Sequence, residues 1–412
     1  MRDRVYILGG YQTDFARNWF KEGKGIQAII NETMDGAFAQ TGITPDEVGA
    51  AHVGNFVAEL FVSQAHLGSM VLNYDPALWG IPTSRHEAAC ASGSIAALMA
   101  RSEIEAGSYD LTLVLGIELM KTVDSKTGGD YLGTAAWFEK ECRGIEYPFP
   151  KLFDRLYDIY EEMYGVKYEH LAHISAVNYQ NARRNPRAQT RNWFMNKEHA
   201  CSTGQYNRVV GKRLRATDCS QVTDGAAAIF LSSSSFAEKY AKKHGTRFEN
   251  IPYIQGWGHT TAPILFDDKA KEAGKHEYLL PHTKNAIRDA FDRAGVSGID
   301  EIGCVETHDC FTITEYAAIE HFGLTRPGEA WKAIENGTID FNGRCPFNPS
   351  GGLIGCGHPV GATGARQLLD AYLQVTGNAG DYQVPGVKRA ATLNIGGLAT
   401  TNVVHVIGAD GS

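Results

Sequence analysis

Cys90 stands in the run Ala89-Cys90-Ala91-Ser92-Gly93-Ser94, after which apolar residues at 95, 98 and 99 share one helical face. A thiol at a helix N-terminus is favoured as thiolate by the dipole and by any nearby imidazole, which makes a nucleophile. The plainer alternative is a small buried hydrophobe. A second group lies in Glu306-Thr307-His308-Asp309-Cys310-Phe311, where His308 and Cys310, two apart on extended chain, aim at one point. A third is the glycine-rich run from Asn348 to Cys356-Gly357-His358-Pro359, whose backbone can approach a ligand closely. His358 alone reads equally well as a hydrogen-bonded structural histidine. The fourth, Asn394-Ile395-Gly396-Gly397, ends a strand and could offer N–H groups to an oxyanion, or simply turn the chain. His308, Cys310, Cys356 and His358 together also permit a tetrahedral zinc site, although structural zinc favours Cys-x-x-Cys spacing. No metal is expected.

These loops must be held by alternating strands and helices. Val5 to Leu8 reads as a strand, Gly25 to Gln40 as a helix ending at Gly42, and the chain near Val53 as another strand. That alternation points to α/β architecture. A weak internal repeat lays Gly36-Ala37-Phe38-Ala39-Gln40-Thr41-Gly42-Ile43 on Asp289-Ala290-Phe291-Asp292-Arg293-Ala294-Gly295-Val296. Asp46-Glu47-Val48 and Asp300-Glu301-Ile302 follow with one inserted residue. Each copy leads to a motif-bearing loop, a small-residue helix and a strand, Leu111 to Leu115 and Ala390 to Ile395, so two related halves are expected. The chain from Lys121 to Phe266 has no counterpart and reads mostly as an insertion, rejoining the first half near Asp224.

With 412 residues, 43% apolar and 21% charged, the chain suits a soluble protein with a large core and no membrane span. A net charge of −8 argues against a nucleic-acid partner. The eight cysteines carry no secretory context and are expected to be reduced. Neither terminus reads as a targeting signal, so a cytoplasmic location is expected.

Taken in order, Cys90-Ala91-Ser92, His308-Asp309-Cys310-Phe311, Gly357-His358-Pro359 and Asn394-Ile395-Gly396 resemble the four active-site loops of the thiolase superfamily. The His-Asp-Cys-Phe loop resembles the sterol-carrier-protein-2 type, and Thr223-Asp224-Gly225-Ala226 extends the likeness into the middle of the chain. The resemblance implies a thiolase fold: two βαβαβαββ halves in five αβαβα layers, with central helices between two mixed sheets. The halves would be 1–120 with 224–275, and 276–412; an inserted loop domain would span 121–223.

The resemblance also implies acyl-CoA acyltransferase chemistry, forming or cleaving 3-ketoacyl-CoA through an acyl-Cys90 intermediate. Coenzyme A and acyl-CoA would be substrates, with no permanently bound cofactor. His358 would take the Cys90 proton. Cys310 would shuttle the C2 proton, since Asn394 stands where most thiolases carry a second catalytic cysteine. His308 with His358 would hold the enolate, and the N–H groups of Cys90 and Gly396 the tetrahedral intermediate. Arg183 and Arg184, near Arg187 and Arg191 in the insertion, are candidates for the nucleotide phosphates, against the alternative of a solvated basic face. A homodimer or tetramer is implied, and some relatives work with a small zinc-ribbon and OB-fold partner. Alternatives on the same fold are C-acylation of a non-CoA acceptor and a non-thiolytic, aldol-type complex subunit.

Overall fold

The computed structural model describes residues 3–411. In chain order its strands are β1 (Tyr6–Gln12), β2 (Ala50–Gly54), β3 (Thr83–His86), β4 (Leu111–Glu118), β5 (Gly225–Ser232), β6 (Tyr253–Thr261), β7 (Cys304–Glu306), β8 (Arg389–Gly396) and β9 (Thr401–Gly408). They lie in the order β3-β2-β4-β5-β1-β6-β9-β8-β7.

The repeat seen in the sequence is a repeat in space. Helix Ile26–Thr41 closes on Gly42 at φ 67°, and helix Pro281–Ala294 closes on Gly295 at φ 64°. Both glycines take the left-handed conformation that stops a helix at little steric cost. A short 3₁₀ turn follows each, then β2 or β7. In the first half β2 pairs parallel with β4, β4 antiparallel with β5, and β5 antiparallel with β1. The second half repeats this: β7 parallel with β8, β8 antiparallel with β9, β9 antiparallel with β6. Where the first half adds β3 beside β2, the second has one parallel bridge, Val305 to Phe347.

Strand pairing links the sheets of the two halves at one edge. The halves meet edge to edge where Tyr6 of β1 faces Tyr253 of β6. β6 runs beside β9 along its length.

Helices Ser92–Glu105 and Thr363–Thr376 lie at the centre, against each other and against strands of both halves. Ala96, Ala97, Ala100 and Ala365 keep the shared surface flat, packed with Val114, Ile229 and Leu368. Outside, Ile29, Ile30 and Met34 cover one half with Val53 and Leu115, and Ile287 and Phe291 cover the other with Val305 and Val404. Burying each such side chain is worth roughly 1.5–3 kcal/mol, so both faces of the sheet are committed.

From Met120 to Asp224 the chain adds no strand to the sheet. Helix Pro148–Tyr164 places Leu152, Phe153, Leu156 and Tyr160 inward, toward Phe311 and Tyr316. The chain returns through Cys219 and Val222, which bridge to Phe311 and His358 respectively. The insertion is thereby laced to two of the motif-bearing loops.

Candidate active site

Cys90 sits in a 3₁₀ turn, Ala89–Ala91, immediately ahead of the central helix Ser92–Glu105. Ala89 has φ 51°, a strained value for a residue with a Cβ, costing of order 1–3 kcal/mol. Ser92 tightens the turn: its Oγ accepts the Ala88 N–H at 2.9 Å and donates to the Ala89 carbonyl at 2.6 Å. The turn aims the thiol into a cavity of about 570 Å³ shared by Cys310, His358 and Gly397.

His358 occupies the matching place in the second half, ahead of the central helix Thr363–Thr376. Its backbone N–H donates to Thr223 Oγ1 at 2.8 Å, and its Nδ1 lies 2.6 Å from Thr363 Oγ1. His308 follows β7 and is fully buried. Its Nδ1 faces Asn394 Nδ2 at 3.2 Å, and Asn394 Oδ1 accepts from Ser94 Oγ at 2.8 Å. The imidazoles meet edge to face, ring centres 5.3 Å apart. One ligating atom from each of Cys90, His308 and His358 lies within 4.8 Å of the other two. Both Nε2 atoms are buried without a hydrogen-bond partner.

Asp309 fastens its loop from behind, accepting the N–H groups of Leu353 at 2.6 Å and Ile354 at 3.1 Å and the Asn178 amide at 2.9 Å. Phe311 stacks on Phe153 at 4.2 Å between ring centres. These ties hold Cys310, whose carbonyl accepts the Ser220 N–H at 2.9 Å, in the cavity wall.

The electrostatics depart from the expectation of an activated thiolate. Burial pushes the Cys90 thiol up to about 12; the Gly397 backbone N–H pulls it down, and Glu118 adds to the rise. Removing a thiolate from water outweighs one helix terminus. Cys310 is likewise raised by burial and by the neighbouring Cys90. Burial, helped by the Arg366 charge, lowers His358 to about 3, and it lowers His308 well below the ordinary histidine range with His358 and Arg366 adding to it. The site at neutral pH holds neutral thiols beside neutral imidazoles.

Gly396 is the last paired residue of β8, and the backbone group that reaches the Cys90 thiol belongs to Gly397, the first residue beyond the strand. Asn394 is fully buried behind His308 rather than in the cavity wall. Arg183 lies over Phe194, and Arg184 packs on Phe341 in a separate polar pocket, so neither lines the cavity of Cys90. Arg187 and Arg191 are likewise engaged, with Tyr11 and Asp14. Arg208 is the basic side chain in the cavity wall. Its single charge between Asn207 and Val209 gave no sequence signal. The zinc set does not assemble, because Cys356 Sγ accepts from Gln12 and Asn185 outside the cavity.

Residues 5–192 match the thiolase N-terminal domain, and 268–409 match the thiolase C-terminal domain-like family. An acetyl-CoA acetyltransferase from Methanothermobacter thermautotrophicus is 34% identical over 98% of this chain and 99% of its own. The chain belongs to the thiolase family. It is an acyl-CoA acyltransferase. Sterol carrier protein 2 from Rattus norvegicus is 30% identical over 95% of this chain and 70% of its own length. Among solved structures, the Ltp2-ChsH2(DUF35) aldolase superposes with a TM-score of 0.79 at 20% identity, covering 99% of this chain and 98% of its own. No described helix is long and apolar enough to cross a membrane.

Proposed function

We propose that this thiolase carries the acyl group on Cys90 and makes or breaks the carbon–carbon bond of a 3-ketoacyl-CoA with Cys310 as proton shuttle. The observation carrying this reading is the convergence of the Cys90 thiol with the imidazoles of His308 and His358, whose Nε2 atoms are buried and unpartnered. In the degradative direction Cys90 gives its proton to His358 Nε2 and attacks the C3 carbonyl. The oxyanion forms against the N–H groups of Cys90 and Gly397. The C2–C3 bond breaks, its electron pair passes into the thioester as an enolate, and His308 and His358 donate to that oxygen. Cys310 protonates C2 and the shortened acyl-CoA leaves. Incoming CoA gives its proton to the Cys310 thiolate, and its sulfur displaces the acyl group from Cys90, which recovers its proton from His358.

Neutral resting groups suit this sequence, since charge separates only once substrate has displaced water. The test is direct. Acetoacetyl-CoA with CoA should be consumed, and intact mass should show one acetyl group that maps to Cys90. Turnover without an acylated Cys90 would overturn the assignment.

The proposal extends to assembly and surroundings. The molecule would be a cytoplasmic dimer or tetramer, and light scattering of the purified protein tests the assembly. A partner such as the one named with the aldolase neighbour comes to this chain only as a proposal, tested by co-purification with a tagged chain. Arg208 would meet the phosphates of CoA. Strand pairing supports a first half ending before Tyr253, with 121–223 as the insertion.

A further inference from the structure

The two histidines each keep a buried Nε2 without a partner, yet the acyl-Cys90 reading asks opposite things of them at the start of a cycle. One must accept a proton from Cys90 and the other must donate to an oxyanion. We propose that the fold holds them in opposite tautomers: Ser94 and Asn394 keep the proton of His308 on Nε2, and Thr363 keeps that of His358 on Nδ1. The inference rests on the acyl-Cys90 reading for its meaning and on the hydrogen bonds behind each ring for its argument.

Behind His308, the orientation of the Asn394 amide decides the matter. Asn394 Oδ1 takes the Ser94 hydroxyl proton at 2.8 Å, leaving the NH₂ toward His308 Nδ1 at 3.2 Å. An NH₂ group can only donate there, so Nδ1 is a lone pair and the ring proton sits on Nε2. The surroundings favour the same orientation. Asn394 Oδ1 lies 2.6 Å from where a Cβ on Gly364 would stand, and the Ser94 backbone N is 2.2 Å from that point. Gly364 and Ser94 belong to the first turns of the two central helices, whose positive ends favour a carbonyl oxygen over an NH₂.

Behind His358 the logic runs the other way. Thr363 Oγ1 lies 2.6 Å from Nδ1 and donates to the Pro359 carbonyl at 3.2 Å. A hydroxyl has one proton; with that proton on the Pro359 carbonyl, the hydroxyl oxygen is left to accept from Nδ1–H. Nε2 of His358 is then a lone pair, free to take the Cys90 proton. Burial, which keeps both rings neutral, leaves each ring one proton to place. Once Cys90 is deprotonated both Nε2 atoms carry protons, and the pair becomes the two-donor cradle the enolate needs. Ser94, Asn394 and Thr363 touch no reacting atom, so all three are positioning residues.

The test is a long-range ¹H–¹⁵N correlation on full-length protein labelled with ¹⁵N-histidine, with signals assigned by their loss in His308→Gln and His358→Gln. In the wild type His308 should show its N–H at Nε2 and His358 at Nδ1; the same tautomer in both rings overturns the proposal. Asn394→Asp presents only acceptors and should move the His308 proton to Nδ1. Acetoacetyl-CoA cleavage should then fall about a hundredfold while acetylation of Cys90 by acetyl-CoA falls less than tenfold. If Asn394→Asp does not fold, Ser94→Ala frees the amide to turn and should give a mixture at His308. Thr363→Val should release His358 to a mixture and slow Cys90 acetylation at least tenfold, with Thr363→Ser restoring both. An unchanged His308 signal in Asn394→Asp, or an unchanged His358 signal in Thr363→Val, overturns it. Failure of the acyl-Cys90 reading has a separate signature: opposite tautomers in a wild type that never acetylates Cys90.

Discussion

The loop after β2 and the loop after β7 occupy the same place in the two halves, and they have been put to different uses. After β2, Asn55, Phe56 and Val57 turn inward onto one carboxylate. Glu118 accepts the Asn55 amide at 2.9 Å and the Val57 N–H at 3.3 Å on one oxygen, and the Phe56 and Gly361 N–H groups at 2.9 and 3.0 Å on the other. After β7 the backbone is tied as firmly, with Thr307 N–H on Asn348 Oδ1 at 2.8 Å, yet His308 Nε2 is left without a partner. The first loop spends its polar groups on the fold, and the second withholds one for the substrate. The same contrast separates the turns before the central helices, where one half offers a thiol and the other an imidazole. A duplicated scaffold thus yields a nucleophile and its base on opposite sides of one boundary.

That contrast breaks first at Cys90. Cys90→Ala should abolish the acyl-enzyme by intact mass and lower acetoacetyl-CoA thiolysis by about 10⁴-fold or more, as loss of a covalent nucleophile does. Cys310→Ala should spare acetylation of Cys90 while cleavage falls about 10³-fold, within the range for a lost acid–base group. Equal loss in both half-reactions would end the division of labour between the thiols.

The structural loop is sharpened by Glu118→Gln. An amide cannot accept on both arms, so N–H groups that the carboxylate satisfied are left buried and unpaired, costing about 2–4 kcal/mol in denaturant unfolding. Burial raises the Glu118 carboxyl to about 7, so the folded state holds that proton more tightly than the unfolded chain. Stability from this group is present below the ordinary carboxyl range and lost as pH rises through about 7, and the variant should flatten that part of the pH–stability curve. Alkylation of Cys90 probes the other loop. With its thiol near 12, the iodoacetamide rate in the empty enzyme should rise about tenfold per pH unit from 7 to 10 without levelling. A plateau near neutrality would mean a preformed thiolate.

The smallest effect belongs to the insertion. Arg208→Ala should raise KM for CoA about three- to tenfold with kcat nearly unchanged, as loss of a single exposed phosphate contact predicts. The same change at Arg183 or Arg184 should leave both constants alone.

Much of this was legible because the chemistry is carried by compact runs. The halves were visible through Gly42 and Gly295, since a helix that stops in the left-handed conformation writes glycine into the sequence. Cys90 and His358 stand out through the small residues and glycines around them, and Cys310 through its place two residues from His308. What escaped depends on partners far along the chain. Ser94 and Asn394 are 300 positions apart, and Thr363 reads as an ordinary helix start until His358 is seen above it. The rise of the Cys90 thiol escapes a reading of the sequence for the same reason, because a helix terminus is local and desolvation is collective. The four-arginine cluster, which reads as either an anion site or a solvated basic face, is dispersed by the fold among Phe194, Phe341, Tyr11 and Asp14.

Gly93 and Gly361 meet where the central helices begin, so closely that a Cβ on Gly93 would come within 2.8 Å of the Gly361 carbonyl oxygen. The distance from nucleophile to base is therefore set by the thickness of two peptide planes, with no side chain in between to vary. Almost any side chain added there would have to part the halves, and the gauge between the two reacting centres would open with them.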